Sequence, residues 1–176
     1  MARNKGPEWE RSLSREMSYW FTGSHEELVI YRSAGSGSVS TNAIKRGKKA
    51  DESGDLRPLG NCPLPHFFDK IHVDAKSMKE VDLWIHATNL KSNRLYTEWL
   101  KVMDDARKSS KHPMMVVQWR TKRKKFVVLG PWLYERVKSR ARLHCLHYMF
   151  PTEQKFFVFE WTDFLTFCRP EDLLVL

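Results

Sequence analysis

Three acidic side chains and one lysine in this sequence are of the types that hydrolysis of a phosphodiester bond needs. They are Glu10, Asp55, Asp74 and Lys76. The bond carries a negative charge that repels hydroxide, and a hard divalent cation neutralises that charge and generates hydroxide from bound water. Mg²⁺ takes a few carboxylate oxygens and keeps several waters. We therefore expect Asp55 and Asp74 to bind Mg²⁺, with Mn²⁺ as a substitute, and Glu10 to complete or support the metal site.

The spacing of Asp74 and Lys76 favours a shared role. Residues 71–74 (IHVD) alternate in polarity as in a strand with one buried face. Residues two apart on a strand point to the same face, and an ammonium group beside a carboxylate can orient the attacking water and stabilise developing charge. Asp55 directly follows Gly54, which allows the chain to approach another strand closely. We expect all four residues to be catalytic.

Each of these residues also has a plainer interpretation. A D-x-K tripeptide is common and is usually a solvated pair at the edge of a strand. Asp55 has a side chain typical of turns, and Glu10 is an ordinary acid near the start of a helix. The order and spacing of the four residues, together with a basic chain, favour the catalytic interpretation.

The surrounding sequence predicts an α/β fold of helices around a small mixed β-sheet. Apolar residues that recur about every 3.6 positions predict helices, and short runs of β-branched or aromatic residues predict strands. The predicted helices cover residues 7–21, 92–108 and 162–167. The predicted strands cover residues 28–31, 55–59, 67–75, 114–119, 126–129 and 156–159, and residues 132–149 remain ambiguous between helix and strand. We expect one domain over residues 1–176, with its core at about 6–129 and residues 130–176 as an extension of it.

The net charge of +9 predicts a polyanionic partner, of which nucleic acid is the commonest. A solvated basic surface without a specific partner is the alternative. The sequence contains no run of 18 apolar residues, so we expect no membrane span. It also lacks the G-x-x-x-x-G-K-[ST] phosphate-binding loop, so we expect no nucleotide cofactor. Three widely spaced cysteines suggest reduced thiols, so we expect a cytoplasmic protein.

A long Ser/Gly-rich loop at residues 33–54 is too polar to pack, and such a loop is usually functional or disordered. It carries Lys45, Arg46, Lys48 and Lys49, which would release counterions from DNA phosphates on binding. A solvated charge run is the alternative for these residues and for the second basic run at residues 122–125.

Three segments of the chain resemble the PD-(D/E)XK nuclease superfamily, and most closely the archaeal-type Holliday junction resolvases and related phage nucleases. Residues 6–11 (GPEWER) resemble the N-terminal G-x-x-aromatic-E-R helix, residues 32–37 (RSAGSG) resemble the Arg then Ser/Gly loop, and residues 54–55 (GD) with 73–76 (VDAK) resemble the metal-binding Asp and the E-x-K end of the third strand. The resemblance covers roughly residues 6–129.

The resemblance implies a restriction-endonuclease-like core and a Mg²⁺-dependent endodeoxyribonuclease that acts in recombination or repair on branched DNA. It places the first acid at Glu10, metal ligands at Asp55 and Asp74, and the nucleophile-orienting lysine at Lys76. Arg32 and Ser36 match residues near the scissile phosphate, with a loop of no fixed role as the alternative. Junction resolution needs two active sites, so a two-fold homodimer is implied. A phage, bacterial or archaeal setting suits the resemblance.

The sequence departs from the family pattern in two ways. Asp74 stands where the family usually has Glu, and insertions lengthen the Ser/Gly loop and add residues 77–91 after the lysine. These insertions bear on the identity of the substrate more than on the chemistry of cleavage. A nuclease acting on non-junction DNA or on RNA, and a basic DNA-binding protein without catalysis, remain alternatives.

Two polar features outside this set have weaker chemical interpretations. Gln118 ends an apolar strand and is either a site residue or an amide paired with the backbone. His144 and His147 are spaced like a metal pair on a helix, but no third ligand lies near them in the sequence.

Overall fold

The computed structural model describes residues 5–33, 54–83, 93–139, 146–148 and 155–174. Its helices are α1 (Lys5–Thr22), α2 (Phe67–Lys70), α3 (Arg94–Lys108), α4 (Pro131–Val137), α5 (Trp161–Phe167) and a 3₁₀ turn at Pro170–Leu173. Its strands are β1 (Ile30–Arg32), β2 (Leu56–Pro58), β3 (Ile71–Met78), β4 (His112–Trp119), β5 (Lys124–Leu129), β6 (Leu146–Tyr148) and β7 (Phe156–Glu160). This is a mixed α/β fold with the nuclease-like core that the sequence predicts.

A five-stranded mixed sheet forms the centre of the fold. Its strand order is β3-β4-β5-β7-β6. β3 and β4 run parallel, and the remaining neighbours are antiparallel. β1 and β2 form a separate antiparallel hairpin. This hairpin reaches the free edge of β3, where the backbone N–H of Asp55 donates a 3.0 Å hydrogen bond to the carbonyl of Val73.

Helices cover both faces of the sheet, so two apolar layers are buried. One layer includes α1, α4 and α5 and contains the odd-numbered β3 residues Ile71, Val73 and Ala75. The other includes α3 and contains Met78 of β3 with the odd-numbered residues of β4. Because side chains alternate along a strand, the even-numbered residues of β3 face α3.

Most of the predicted elements are confirmed, with boundaries moved by a few residues. The helix predicted at 92–108 is Arg94–Lys108, and Asn93 caps it by accepting a 3.0 Å hydrogen bond from the Tyr96 backbone N–H. The ambiguous residues 132–149 contain both α4 and β6. The described residues contain no helix that is long and apolar enough to cross a membrane.

The strand predicted at residues 67–75 is wrong in its first half. Residues 67–70 form the one-turn helix α2, and the strand begins at Ile71. Adjacent residues of a strand point to opposite faces, whereas the rings of Phe67 and Phe68 both lie against the same residue of α1. A helical turn allows both rings to pack against Phe21 of α1, with ring centroids 5.1 and 6.0 Å away.

Candidate active site

β3 carries two of the predicted catalytic side chains on the face that α3 covers. Asp74 is 8% exposed, and the ammonium nitrogen of Lys76 lies 2.7 Å from its Oδ1. Val73 and Ala75, on either side of Asp74 in the strand, are buried. The side chains of Asp74 and Lys76 are 11% and 27% exposed, so this ion pair is partly shielded from water. A buried carboxylate needs such a partner, because removing its charge from water is costly.

Gly54 and the edge of β3 position Asp55. The Asp55 carboxylate accepts a 2.9 Å hydrogen bond from the Ala75 backbone N–H, next to Asp74 in the chain. Gly54 has a positive φ of 104°, and a Cβ atom there would lie 3.0 Å from the Val73 carbonyl oxygen. Only glycine adopts this conformation readily at such a close approach, so Gly54 allows Asp55 to reach the strand.

Burial, together with the negative charge of Asp74, raises the pKa of Asp55 from 3.8 to about 8. Glu10 adds a smaller effect of the same sign, while the Ala75 N–H and Lys76 oppose it. The three carboxylates therefore act on one another electrostatically around the edge of β3. A site that concentrates negative charge in this way favours a cation.

Lys76 remains positively charged in this environment. Burial on its own lowers the pKa of Lys76, but the ion pair with Asp74 and the charges of Asp55 and Glu98 outweigh burial and raise it above the usual value. A protonated ammonium cannot accept a proton from water. In this form Lys76 can orient a nucleophile and stabilise negative charge.

Glu10 lies on α1 and pairs with Arg32 at the end of β1. The Glu10 side chain is 13% exposed and that of Arg32 is 28% exposed. The Ser33 backbone N–H donates a 2.9 Å hydrogen bond to the Asp55 carbonyl, so the end of β1 is tied to the start of β2. Arg32 and Glu10 therefore border Asp55 on the α1 side of the sheet.

The donor set fits Mg²⁺ in its chemistry. Asp55, Asp74 and Glu10 offer the hard oxygens that Mg²⁺ prefers, and Mg²⁺ is usually held by one or two carboxylates with several waters. Across the described ranges no three His, Cys, Asp or Glu side chains form a ready-made metal cluster. Here Lys76 and Arg32 neutralise two of the carboxylates, so a metal ion would compete with Lys76 for Asp74.

The remaining predicted residues fall into two groups. Ser36, Lys45, Arg46, Lys48 and Lys49 lie outside the described residues. Gln118 lies in β4 on the face opposite Asp74, and its Oε1 accepts a 3.2 Å hydrogen bond from the Ser77 hydroxyl. His147 lies in β6 rather than on a helix, which agrees with setting aside a metal pair there, and His144 lies outside the described residues.

Glu98 of α3 is the residue that the sequence interpretation missed. Its Oε2 lies 3.9 Å from the Lys76 ammonium nitrogen, and its Oε1 lies 2.8 Å from that of Lys101. A signal for it exists in the sequence, because Glu98 stands three residues after Leu95 and four before Val102. A carboxylate inside the apolar stripe of an amphipathic helix is unusual.

The architecture and the carboxylate–lysine site at the edge of β3 define a nuclease-like α/β protein. Residues 1–174 match the family described as "Phage putative PDDEXK endonuclease". The chain therefore belongs to this PDDEXK endonuclease family. The match includes residues 130–174, which the resemblance noted from the sequence did not clearly cover. Comparisons with curated proteins and with solved structures give no significant match.

Proposed function

We propose that the chain is a divalent-metal-dependent endodeoxyribonuclease whose substrate is branched DNA, in particular four-way junctions. The observation that carries the chemistry is the hydrogen bond between the Asp55 carboxylate and the Ala75 N–H. It brings Asp55 to the strand of Asp74 and Lys76, and family membership supports the assignment of these residues to phosphodiester hydrolysis. The net charge of +9 supports a nucleic acid substrate.

In this proposal Asp55 and Asp74 hold Mg²⁺ or Mn²⁺, and Glu10 supports the metal or its water. When bound, the metal ion supplies Lewis-acid catalysis by neutralising charge on the scissile phosphate and lowering the pKa of water. Lys76, released from Asp74, orients the attacking water and stabilises the charge that develops on the phosphate oxygens. Glu98 lies near enough to hold the released ammonium.

Arg32 is proposed to contact a phosphate near the cleaved bond. Its guanidinium pairs with Glu10, and a phosphate would compete for the same group because both are oxyanions suited to its planar donors. The basic residues Lys45, Arg46, Lys48 and Lys49 are proposed to bind the DNA backbone.

The junction specificity rests on the resemblance of residues 6–11 and 32–37 to the archaeal-type resolvases. Resolution of a junction cuts two symmetry-related strands, so the proposal includes a two-fold homodimer. Cleavage of non-junction DNA by the same site is the second candidate, because the sequence departs from the family pattern by insertions at 33–54 and 77–91.

The test is cleavage of a labelled four-way junction and of its matched linear duplex, with Mg²⁺, Mn²⁺ or EDTA. The variants are Lys76→Ala and, as a control, Lys70→Ala, an exposed lysine just before β3. We expect paired nicks in the junction that depend on the metal ion. Lys76→Ala should abolish them, and Lys70→Ala should not. Equal cutting of both substrates would remove the junction specificity, and binding without cutting in either metal would contradict the nuclease.

A further inference from the structure

We propose that the turn between β4 and β5 is a docking surface for the backbone of duplex DNA, an inference that rests on the proposed nuclease function. This hairpin tip comprises residues 120–124 and carries Arg120, Lys122, Arg123 and Lys124. All four residues are exposed. None forms an ion pair with another residue in the part of the chain that the structure describes.

The contrast with other surface charges supports a role for these residues. The exposed cations Lys101, Arg107 and Lys108 of α3 each pair with an acid one turn away on the same helix. Lys125, the next residue after the hairpin tip, is half-buried and pairs with Glu16 at 2.6 Å. The hairpin tip therefore retains positive charge that the described residues do not neutralise.

The hairpin tip is anchored to the chain that leaves β3. The Thr121 hydroxyl lies 2.9 Å from Glu80 Oε1 and also donates to the Lys79 carbonyl. The Arg120 backbone N–H donates a 2.9 Å hydrogen bond to the Met78 carbonyl. Glu80 contacts the hairpin tip through the Thr121 hydroxyl rather than through a basic side chain, and its single negative charge is outweighed by the four positive charges of the tip. A fixed cationic turn loses little conformational entropy when it binds a polyanion.

Arg123 occupies a backbone conformation that costs energy for its side chain. Its φ is 53°, in the left-handed region that favours glycine or asparagine. Such turns are usually filled by glycine or asparagine. Arginine at this position is explained if its side chain has a use outside the folded core, and its exposure leaves that side chain available to a partner.

Strand register places the hairpin tip beyond the candidate active site. Lys76 pairs with Val117 and Met78 pairs with Trp119. Arg120 follows Val117 by three residues, so it lies three residues further along the strand direction than Lys76. A strand rises by about 3.3 Å per residue, which puts the hairpin tip roughly 10–15 Å beyond Lys76. Phosphates of one DNA strand advance by about 3.4 Å along the duplex axis. For a duplex whose axis follows the strands of the sheet, this distance places the hairpin tip at phosphates about three to four nucleotides from the cleaved bond.

The test compares two variants that each lose two lysines. One is Lys122→Ser with Lys124→Ser in the hairpin tip. Its control is Lys70→Ser with Lys155→Ser, two exposed lysines near the other end of the sheet. Binding to a labelled duplex of about 30 base pairs is measured in EDTA by fluorescence anisotropy between about 50 and 200 mM salt. RNA duplex and anionic lipid vesicles are measured in parallel.

The expected result is a loss of DNA affinity of about 10- to 100-fold in the hairpin-tip variant at low salt. The slope of log K against log salt falls by about 2, because each lost phosphate contact removes about 0.9. The control variant changes affinity by less than about twofold. Arg123→Gly weakens DNA binding while its Tm stays equal or rises, since glycine relieves the strained backbone.

Equal losses in the two double variants, or no binding of duplex DNA by the wild type, would overturn the proposal. A selective loss toward RNA duplex or vesicles, with DNA binding unchanged, would also overturn it. Cleavage by the wild type with Mg²⁺ is scored separately. If only the hairpin-tip variant loses DNA binding and the wild type does not cleave, the docking surface is supported and the nuclease function is contradicted. If the wild type cleaves and both double variants lose binding equally, the nuclease function is supported and the docking surface is contradicted.

Discussion

At the scale of single residues, the site is a set of carboxylates whose charges are balanced by two cations. Asp74 pairs with Lys76 and Glu10 pairs with Arg32. Asp55 has only a backbone N–H among its described hydrogen-bond donors, and its pKa rises to about 8. Ionisation of Asp55 is therefore costly to the folded protein.

The first prediction concerns the pH dependence of stability in EDTA. An acid with a higher pKa in the folded than in the unfolded chain favours folding at low pH, and this contribution is lost as pH rises through the folded value. For Asp55 this contribution to stability is lost between pH 3.8 and about pH 8. Wild type is expected to lose stability relative to Asp55→Asn between pH 5 and 8.5 by at least about 1.4 kcal/mol, measured by urea unfolding.

Comparison with the variant cancels the titrating groups that do not interact with Asp55. His72, for example, has a pKa that burial lowers, and it is present in both proteins. Asp69→Asn serves as a control, since the Asp69 side chain is exposed. Parallel stability curves for wild type and Asp55→Asn would show that Asp55 ionises normally.

The second prediction separates metal binding from chemistry at Lys76. A metal ion must displace the ammonium from Asp74, so removing the ammonium removes a competitor. Lys76→Ala is expected to bind Mn²⁺ at least as tightly as wild type in calorimetry, while its cleavage rate falls by about 10²-fold or more. Loss of both binding and cleavage would mean that Lys76 holds the site together rather than acting on the reaction.

Sequence alone predicted the candidate residues but not their partners. The spacing of Asp74 and Lys76 indicates a shared strand face, and the structure places them in contact. The pairs Glu10–Arg32 and Lys76–Glu98 join residues 22 positions apart in each case. Such contacts depend on how helices and strands pack, which no local pattern encodes.

At the scale of elements, the approach of β2 to β3 assembles the site. Gly54 is the residue that permits it, because its backbone has a positive φ and its missing side chain leaves room for the Val73 carbonyl. The sequence suggested this close approach from the glycine next to Asp55. It did not reveal α2, since a run of apolar residues is compatible with a strand until the packing of both adjacent aromatic rings against α1 is known.

The third prediction tests the close approach of β2 to β3. Gly54→Ala places a Cβ atom 3.0 Å from the Val73 carbonyl oxygen in a strained backbone, so we expect a loss of about 1–3 kcal/mol in unfolding free energy and a lower cleavage rate. Gly60→Ala is the matched control, because a Cβ atom there meets nothing within 4 Å. Equal stability of the two variants in urea unfolding would contradict the role of Gly54.

At the scale of the whole molecule, the C-terminal segment is joined to the layer that contains α1. β7 pairs with β5 inside the central sheet. The Trp161 indole N–H donates a 2.9 Å hydrogen bond to Glu16 of α1, which also binds Lys125. Sequence patterns predicted β7 and α5 but not their place, because strand order in a sheet depends on long-range pairing.

The fourth prediction follows from this connection. Glu16→Ala leaves the Trp161 indole N–H buried without its acceptor, which costs about 1–3 kcal/mol. Thermal unfolding should show a lower Tm for Glu16→Ala, whereas Glu8→Ala, at an exposed position of the same helix, should differ little. A wild-type Tm for Glu16→Ala would show that this hydrogen bond contributes nothing measurable to holding the C-terminal segment.

The measurement that tests the central claim most directly is the Mg²⁺-dependent cleavage rate of Asp74→Asn, with Asp69→Asn as the control. Asparagine keeps the shape of the side chain but removes the charge that would hold the metal. The account predicts a rate at least about 10³-fold lower for Asp74→Asn, with an unchanged rate for Asp69→Asn and a cooperative unfolding transition in both. Cleavage by Asp74→Asn at the wild-type rate would contradict the assignment of the active site to β3.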